Sequence, residues 1–486
     1  MNFQWGVVKA TDYIEFTRSG NRDIMQNPEN ARINALKNLA LAELIEGKGR
    51  FIDAMINGVW AVCEQSTWVH SAHLPNQKGG AGLPNPDDII IDLGSGNIGA
   101  LMSWVHYYFA SEFDKISPHV AERIRREVRT RILEPYYTRT DMWWMGFNTS
   151  FVNNWNVWVN YNVLQCILLL ETDETRLVDN VYKAMTSIDK FLNYYKEDGG
   201  CDEGPSYWGH AGGKLFECLE LLDKATNGKV NIYQNEMVKN IGRYIYRAYI
   251  SAPYFVNFAD AAAKGSIYPG LVYRYGKAID DPMMQGFGAF YALRENWGDK
   301  TPSGTFETII HDLFDTHEII NSKPVEPFIG ECWLPESQFV VARDKAGSKN
   351  GFYFAAKGGF NDESHNHNDV GTFILYYDGL PVLIDVGVGT YTRQTFSRER
   401  YSIWTMQSGY HNLPVINGQD QRFGKKYAAG KTSFSSSAKT VNFTVDIAGA
   451  YPAEAAVNLW QRNYTLNRGK SLIIKDKYSL KENKGG

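Results

Sequence analysis

The chain has 486 residues, a formal charge of −4 and five scattered cysteines. That length exceeds what one hydrophobic core usually organises, so two domains are expected. The slight negative charge offers no basic field to nucleic acid. The odd cysteine set (Cys63, Cys166, Cys201, Cys218, Cys332), without CxxC spacing, argues against a disulfide framework or a thiolate zinc site. No apolar run reaches the roughly 18–20 residues of a transmembrane helix, and Met1–Gly6 lacks signal-peptide character. The chain as given therefore reads as soluble, with no membrane partner.

The first predicted element is a helix with Asn27 as N-cap and Pro28 at N1. It carries Ile33, Leu36, Ala40 and Leu44 on one face and closes at Gly47. Segments of the same period follow at 51–63, 98–109, 117–133 ahead of Pro135, 157–170, 175–195, 214–225, 237–249, 283–297 and 305–314. Helices in such number, joined by mixed loops and without a solenoid-type repeat, predict antiparallel helical hairpins. Loops rich in aromatics, His, Asn and acids recur at 64–73, 143–156, 201–210 and 254–260. In a ring of helix pairs alternate loops fall at one end, which predicts a shared cleft.

The stretch Lys323-Pro-Val-Glu-Pro327 ends the helical pattern. From Glu331 the period becomes two, as at 338–343, 351–356 and 372–377, with Asp378-Gly379 and Asn417-Gly418 as hairpin turns. The last strand candidate, Ser471–Tyr478, is followed after Ser479-Leu480 by Lys-Glu-Asn-Lys-Gly-Gly, where the sheet reads as cut short. The expected division is a helical domain over residues 1–325 and an antiparallel β domain over 326–486.

The densest chemistry is Ser364-His365-Asn366-His367-Asn368-Asp369. On a strand, residues at i and i+2 share a face, so His365, His367 and Asp369 would converge unless a bulge turned them apart. His367, Asp385 and His411 form a three-ligand set suited to zinc, the alternative being a polar core network of satisfied histidines. In Asp198–His210, glycines bring backbone close to something. Tyr207 is a candidate acid or base there and Glu203 a partner, unless the segment is simply a capped helix turn. Asn153, Asn154 and Asn156 open a helix whose N-terminus suits a carboxylate, although a cap plus surface amides explains them as well. Candidate substrate contacts are Trp155, Trp208, His210 and Arg400, with most tryptophans expected in the core. Signatures of serine hydrolases, P-loop proteins, dinucleotide binders, HExxH proteases and EF-hands are absent.

The Asn-rich turn, the Glu-Gly-x-x-Tyr loop, then His-x-His-x-Asp, Leu-Ile-Asp-Val-Gly and His-Asn together resemble the heparinase II/III family of polysaccharide lyases, over roughly residues 30–420. The resemblance implies an incomplete (α/α) toroid followed by an antiparallel β-sandwich domain. It also implies β-elimination at a uronic acid of an acidic polysaccharide or oligosaccharide, without an organic cofactor. By position Tyr207 would be the acid and also a base, and His365 the second catalytic partner. Asn153 or Asn154 would neutralise the carboxylate, and Glu203 would be an acid near the tyrosine. Zinc held by His367, Asp385 and His411 would be mainly structural, and a periplasmic or secreted location would follow. Two rival readings are a glycoside hydrolase on an α/α toroid, using Asp202 and Glu203 with Asp260, and a non-catalytic glycan-binding protein.

Overall fold

The structure, a computed structural model, describes residues 3–80, 82–301 and 303–482. Helices dominate up to Asn321 and antiparallel strands from Glu331, so the change of hydrophobic period marks a real change of structure. By compactness the chain divides differently. One unit comprises Met1–Tyr194, Glu217–Asn231 and Thr301–Phe314; the other comprises Tyr195–Phe216, Ile232–Lys300 and Asp315–Gly486. Among the described residues no helix is long and apolar enough to cross a membrane, and none of the five cysteines is in a disulfide.

In the first unit, helices Leu93–Asp114 and Trp155–Leu170 approach closely because Gly96 and Gly99 lie between them. A Cβ on Gly99 would come 3.2 Å from Cys166 Sγ, and one on Gly96 would come 3.3 Å from Asn162 Cβ. Two prolines correct the sequence reading. The helix expected to start at Asn27 runs Asp23–Glu46 with Pro28 inside it, and Asn21 Oδ1 accepts from Asp23 N at its start. Burial of Met25, Glu29, Arg32 and Leu36 outweighs the one hydrogen bond that proline forfeits. The helix from Pro118 does not stop before Pro135. It widens into a π turn over Arg129–Leu133, where Glu134 N donates to Arg129 O, and continues through Glu134–Thr138. That extra residue per turn accommodates the proline. A helix at Ala10–Ser19 lies ahead of every predicted element.

In the second unit the helices Pro269–Ala278 and Pro282–Arg294 form a hairpin, and Asp281 caps the second by accepting from Met284 N. The first of these was not predicted, and the helix expected to reach Tyr249 ends at Arg247, ahead of a short strand Tyr249–Ser251. Five strands pair in the order Glu331–Leu334, Phe339–Arg343, Phe352–Lys357, Phe373–Tyr377 and Leu380–Leu383. Four more pair in sequence: Thr432–Ser436, Thr440–Asp446, Val457–Asn467 and Ser471–Leu480. The expectation that this sheet is cut short concerns residues 483–486, which lie outside the described residues.

Alternation along Thr440–Asp446 turns Val441, Phe443 and Val445 inward against Val340, Ala342, Phe354 and Ala356, so the two sheets share one core. Phe354 meets Tyr464 across it at 5.2 Å between ring centroids. Phe339–Arg343 is buried along its whole length because its other face meets residues 244–258: Tyr244 and Phe258 pack on Phe339, and Arg343 Nη2 donates to Tyr249 O at 2.7 Å. Phe443→Ala should destabilise the protein by about 3–5 kcal/mol in urea unfolding. A loss below about 1 kcal/mol would mean the sheets do not depend on a common core.

Candidate active site

Three segments of the second unit converge on Asp260. It ends the run from strand Tyr254–Phe255, directly after Ala259, whose φ is +56°. Its carboxylate, with no exposed side-chain surface, accepts four hydrogen bonds. His365 Nδ1 at 2.6 Å and the Tyr391 hydroxyl at 2.9 Å reach Oδ2; His367 Nε2 at 2.9 Å and Arg400 Nη2 at 2.8 Å reach Oδ1. Burial alone would raise the Asp260 pKa. The His365 and His367 hydrogen bonds and the Arg400 charge outweigh it and hold the carboxyl well below the usual range.

Tyr207 reaches this centre from the short helix Pro205–Trp208. Gly204 precedes it at φ +83°, where a Cβ would meet Ala261 Cβ at 2.6 Å and Phe258 O at 2.9 Å, so only glycine lets the two loops touch. The Tyr207 ring lies 4.6 Å from the His365 ring, and its hydroxyl shares a short hydrogen bond with that of Tyr391. Tyr391 spends its one proton on Asp260, so the proton in the shared bond comes from Tyr207. Burial raises the Tyr207 pKa; the Tyr391 hydrogen bond opposes this, while the Asp260 and Glu203 charges add to it. Glu203 Oε1 accepts from Ser364 Oγ at 3.0 Å, and Oε2 lies 3.6 Å from His365 Nε2. Burial raises the Glu203 pKa, with His365 opposing. His365 itself is held at φ +56°, a conformation worth of order 1–3 kcal/mol that the surrounding bonds enforce.

A metal-type cluster adjoins this centre. The hairpin Phe373–Tyr377 and Leu380–Leu383, closed at Asp378-Gly379, brings the residues before its first strand and after its second to one end. His367 and Asp385 meet there. His411 joins them because Asn412 Nδ2 donates to Phe373 O at 2.8 Å and Ile384 O at 3.0 Å. The ligand atoms of His367, Asp385 and His411 lie within 4.8 Å of one another, and all three residues are buried. Because His411 Nε2 donates to Thr405 O at 3.1 Å, neutral His411 presents the bare Nδ1 to Asp385 Oδ2 at 2.8 Å. His367 Nε2 is committed to Asp260, and its buried Nδ1 has no hydrogen-bond partner. Burial alone would lower the His411 pKa, but Asp385 raises it, so a proton on Nδ1 answers Asp385 until a cation displaces it, and the donor set suits a borderline-soft divalent ion.

Other predicted residues stand elsewhere. The stretch 364–371 is irregular and not a strand, so the i, i+2 rule fails there, and Asp369 pairs with Lys357 Nζ at 3.0 Å apart from the two histidines. Trp208 is 2% exposed, with Nε1 donating to Ile241 O at 2.7 Å, a core position rather than an open face for a sugar. Arg400 is buried; besides Asp260 it donates to Asn366 O and Thr395 O, so its guanidinium organises the centre from behind. His210 is exposed just past the Tyr207 helix. Asn153, Asn154 and Trp155 belong to the first unit. Asn153 Oδ1 accepts from Trp155 N at 3.0 Å, Asn154 is buried directly before the helix, and half-buried Trp155 packs on Trp143 and His73. Asn156 is structural, donating to Trp144 O and Ser187 O. Tyr391 was missed; its signal is a tyrosine four residues after Gly387 of the Asp-x-Gly motif. Asp260 was read only as a hydrolase carboxylate.

Residues 332–485 match the family described as Heparinase II/III-like, C-terminal, and over that stretch the resemblance read from the motifs is borne out. No curated protein matches the chain in sequence. Among solved structures, Heparinase III is similar at 14% identity with a TM-score of 0.65, covering 99% of this chain and 65% of its own. The heparan sulfate lyase HepC mutant from Pedobacter heparinus is similar at 13% identity and TM-score 0.59, covering 92% of this chain and 62% of its own. The Heparinase III-BT4657 gene product gives 12% and 0.61 over 99% of this chain and 67% of its own. These likenesses show the fold, the expected helical toroid followed by a β-sandwich. The chain spans 62% and 65% of the length of the first two structures it matches.

Asp260→Ala leaves an arginine, two imidazoles and a phenol without their acceptor and should cost about 3–5 kcal/mol in urea unfolding. Stability within about 1 kcal/mol of wild type would show that the four donors find other partners.

Proposed function

We propose that the protein is a polysaccharide lyase that breaks a uronic-acid-containing polysaccharide or oligosaccharide by β-elimination, with Tyr207 and His365 moving the protons. The observation that carries the reading is the phenol and imidazole rings 4.6 Å apart, the imidazole bonded directly to one buried carboxylate and the phenol linked to it through Tyr391. Asp260 takes the Nδ1 proton of His365 as a hydrogen bond and so leaves Nε2 as the basic nitrogen. His365 Nε2 removes the C5 proton of the uronate. The electron pair forms the C4=C5 bond, the C4–O4 bond breaks, and O4 takes the Tyr207 proton. Burial and the neighbouring carboxylates keep that phenol protonated until then, which suits the acid role. His365 Nε2 then releases the abstracted proton to solvent and Tyr207 regains one from solvent, which restores the starting tautomer with Nδ1–H on Asp260.

Asn153 or Asn154 remains the proposed neutraliser of the uronate carboxylate, on the strength of the motif resemblance. His367, Asp385 and His411 would hold zinc, whose role is to fix this end of the sheet; no proton moves through it. A hydrolase built on Asp202, Glu203 and Asp260 has less support. Asp260 is saturated by four donors and held ionised, and Asp202 pairs with Lys196 at 2.6 Å. Because the fold is shared with heparan sulfate lyase and heparinase structures, a heparan-type polymer is the first substrate to try, and a periplasmic or secreted location goes with it.

Tyr207→Phe should lower kcat by about 10²–10⁴-fold with the fold intact, followed by the ultraviolet absorbance of the unsaturated uronate. Full activity in that variant would remove tyrosine from the reaction. Since the Tyr207 pKa lies above its ordinary 10.0, the acid form persists through neutral pH, and kcat/KM should show no alkaline tyrosine inflection below pH 10.0. His411→Ala should lose one equivalent of zinc and melt at a lower temperature, and a chelator should lower the melting temperature of wild type by more than that of the variant. Unchanged zinc content would rule out the ligand set.

A further inference from the structure

The first unit gathers a second set of the same donors, unconnected with Asp260. His70 and His73 lie on the loop after helix Ile52–Cys63, and Asp92 is the N-cap of helix Leu93–Asp114. One ligand atom from each lies within 4.8 Å of the others. His73 Nδ1 is 2.6 Å from Asp92 Oδ2, which also accepts from His70 N at 3.1 Å, while Asp92 Oδ1 accepts from Ser95 N at 2.7 Å. The His70 ring lies against the start of the helix, where a Cβ on Gly94 would come 2.5 Å from it, so glycine is required there.

Behind His70 stands a second, independent feature. Glu29 is 1% exposed; its Oε1 accepts from Gln65 Nε2, but its Oε2, 3.2 Å from His70 Nε2, has no hydrogen bond. In the second-unit cluster a carboxylate also stands behind an imidazole, Asp260 behind His367, there with a hydrogen bond of 2.9 Å. A carboxylate behind a ligand histidine is the usual means of fixing such a ring for a metal.

We propose that His70, His73 and Asp92 bind a divalent transition metal, zinc first, with Glu29 orienting His70. Two imidazoles and one carboxylate are a zinc donor set, and ligand bonds of about 2.0–2.2 Å require His73 and Asp92 to part by less than about 1 Å. The imidazoles are 19% and 13% exposed, so a fourth position opens to solvent, unlike the buried cluster around His411. The His73 ring meets Trp155 edge-on at 4.5 Å, which places a tryptophan reporter beside the ion.

The test is metal content by mass spectrometry after zinc reconstitution and dialysis of the full chain, for wild type, His73→Ala, His70→Gln and His411→Ala. Wild type should hold two equivalents, and each first-unit variant should lose one. His411→Ala should lose the other, and His73→Ala combined with His411→Ala should lose both. Equal zinc in wild type and in whichever first-unit variant keeps the wild-type circular dichroism overturns the proposal, whatever His411→Ala shows. Loss in the first-unit variants alone sustains it even if the second-unit cluster holds no metal. Should neither first-unit variant fold, the metal-free wild type is titrated with Co2+ alongside Trp155→Phe. Saturable quenching in wild type that the variant lacks supports the site, and identical curves overturn it.

Discussion

A buried carboxylate is tolerable only when the groups around it replace water, and Asp260 has four that do. The constraint runs in both directions. The donors hold Asp260 ionised, and Asp260 decides which nitrogen of each histidine is left over: Nε2 on His365, Nδ1 on His367. The proposed base and the proposed metal ligand therefore take their opposite tautomers from one residue. Arg400 supplies the compensating charge and is consumed in doing so, which is why a residue that looks on paper like a polyanion contact is buried here.

Further buried ions lie close by. Lys357 pairs with Glu363 and Asp369 at 3.0 Å each, and Lys196 with Asp202, next in sequence to Glu203. Such pairs return little net stability, because desolvation offsets their attraction, but removing one partner is costly. Asp198 acts alongside them, accepting from Glu336 N, Ser337 N and Ser337 Oγ. Together these contacts hold the loop that carries Tyr207 to the turn between the first two strands of the larger sheet.

Much of this was legible in the chain. The shift from a helical to an alternating pattern near residue 327, the Asp378-Gly379 turn, and the grouping of His367, Asp385 and His411 all followed from spacing and residue chemistry. The turn explains the grouping, since a tight hairpin must return its flanks to a common end. Other features were hidden because they depend on tertiary contacts. Proline normally ends a helix, yet Pro28 and Pro135 lie within helices, the first anchored by burial and the second relieved by a π turn. His-x-His invited a strand reading, whereas the left-handed backbone of His365 is fixed by Asp260, over one hundred residues away. Trp208 and an exposed sugar platform have the same sequence signature, and only packing tells them apart. Asp260 has no local motif at all; only its role as common acceptor reveals it.

The separation along the chain has a consequence for biosynthesis. Asp260 and Arg400 are 140 residues apart, and His365 and Tyr391 also follow Asp260. Until His365 and His367 have been made, the carboxylate has none of these partners and stays hydrated, so the turn after Phe255 cannot settle into its final shape. The four-donor shell of Asp260 is thus complete only once the chain past Arg400 has emerged.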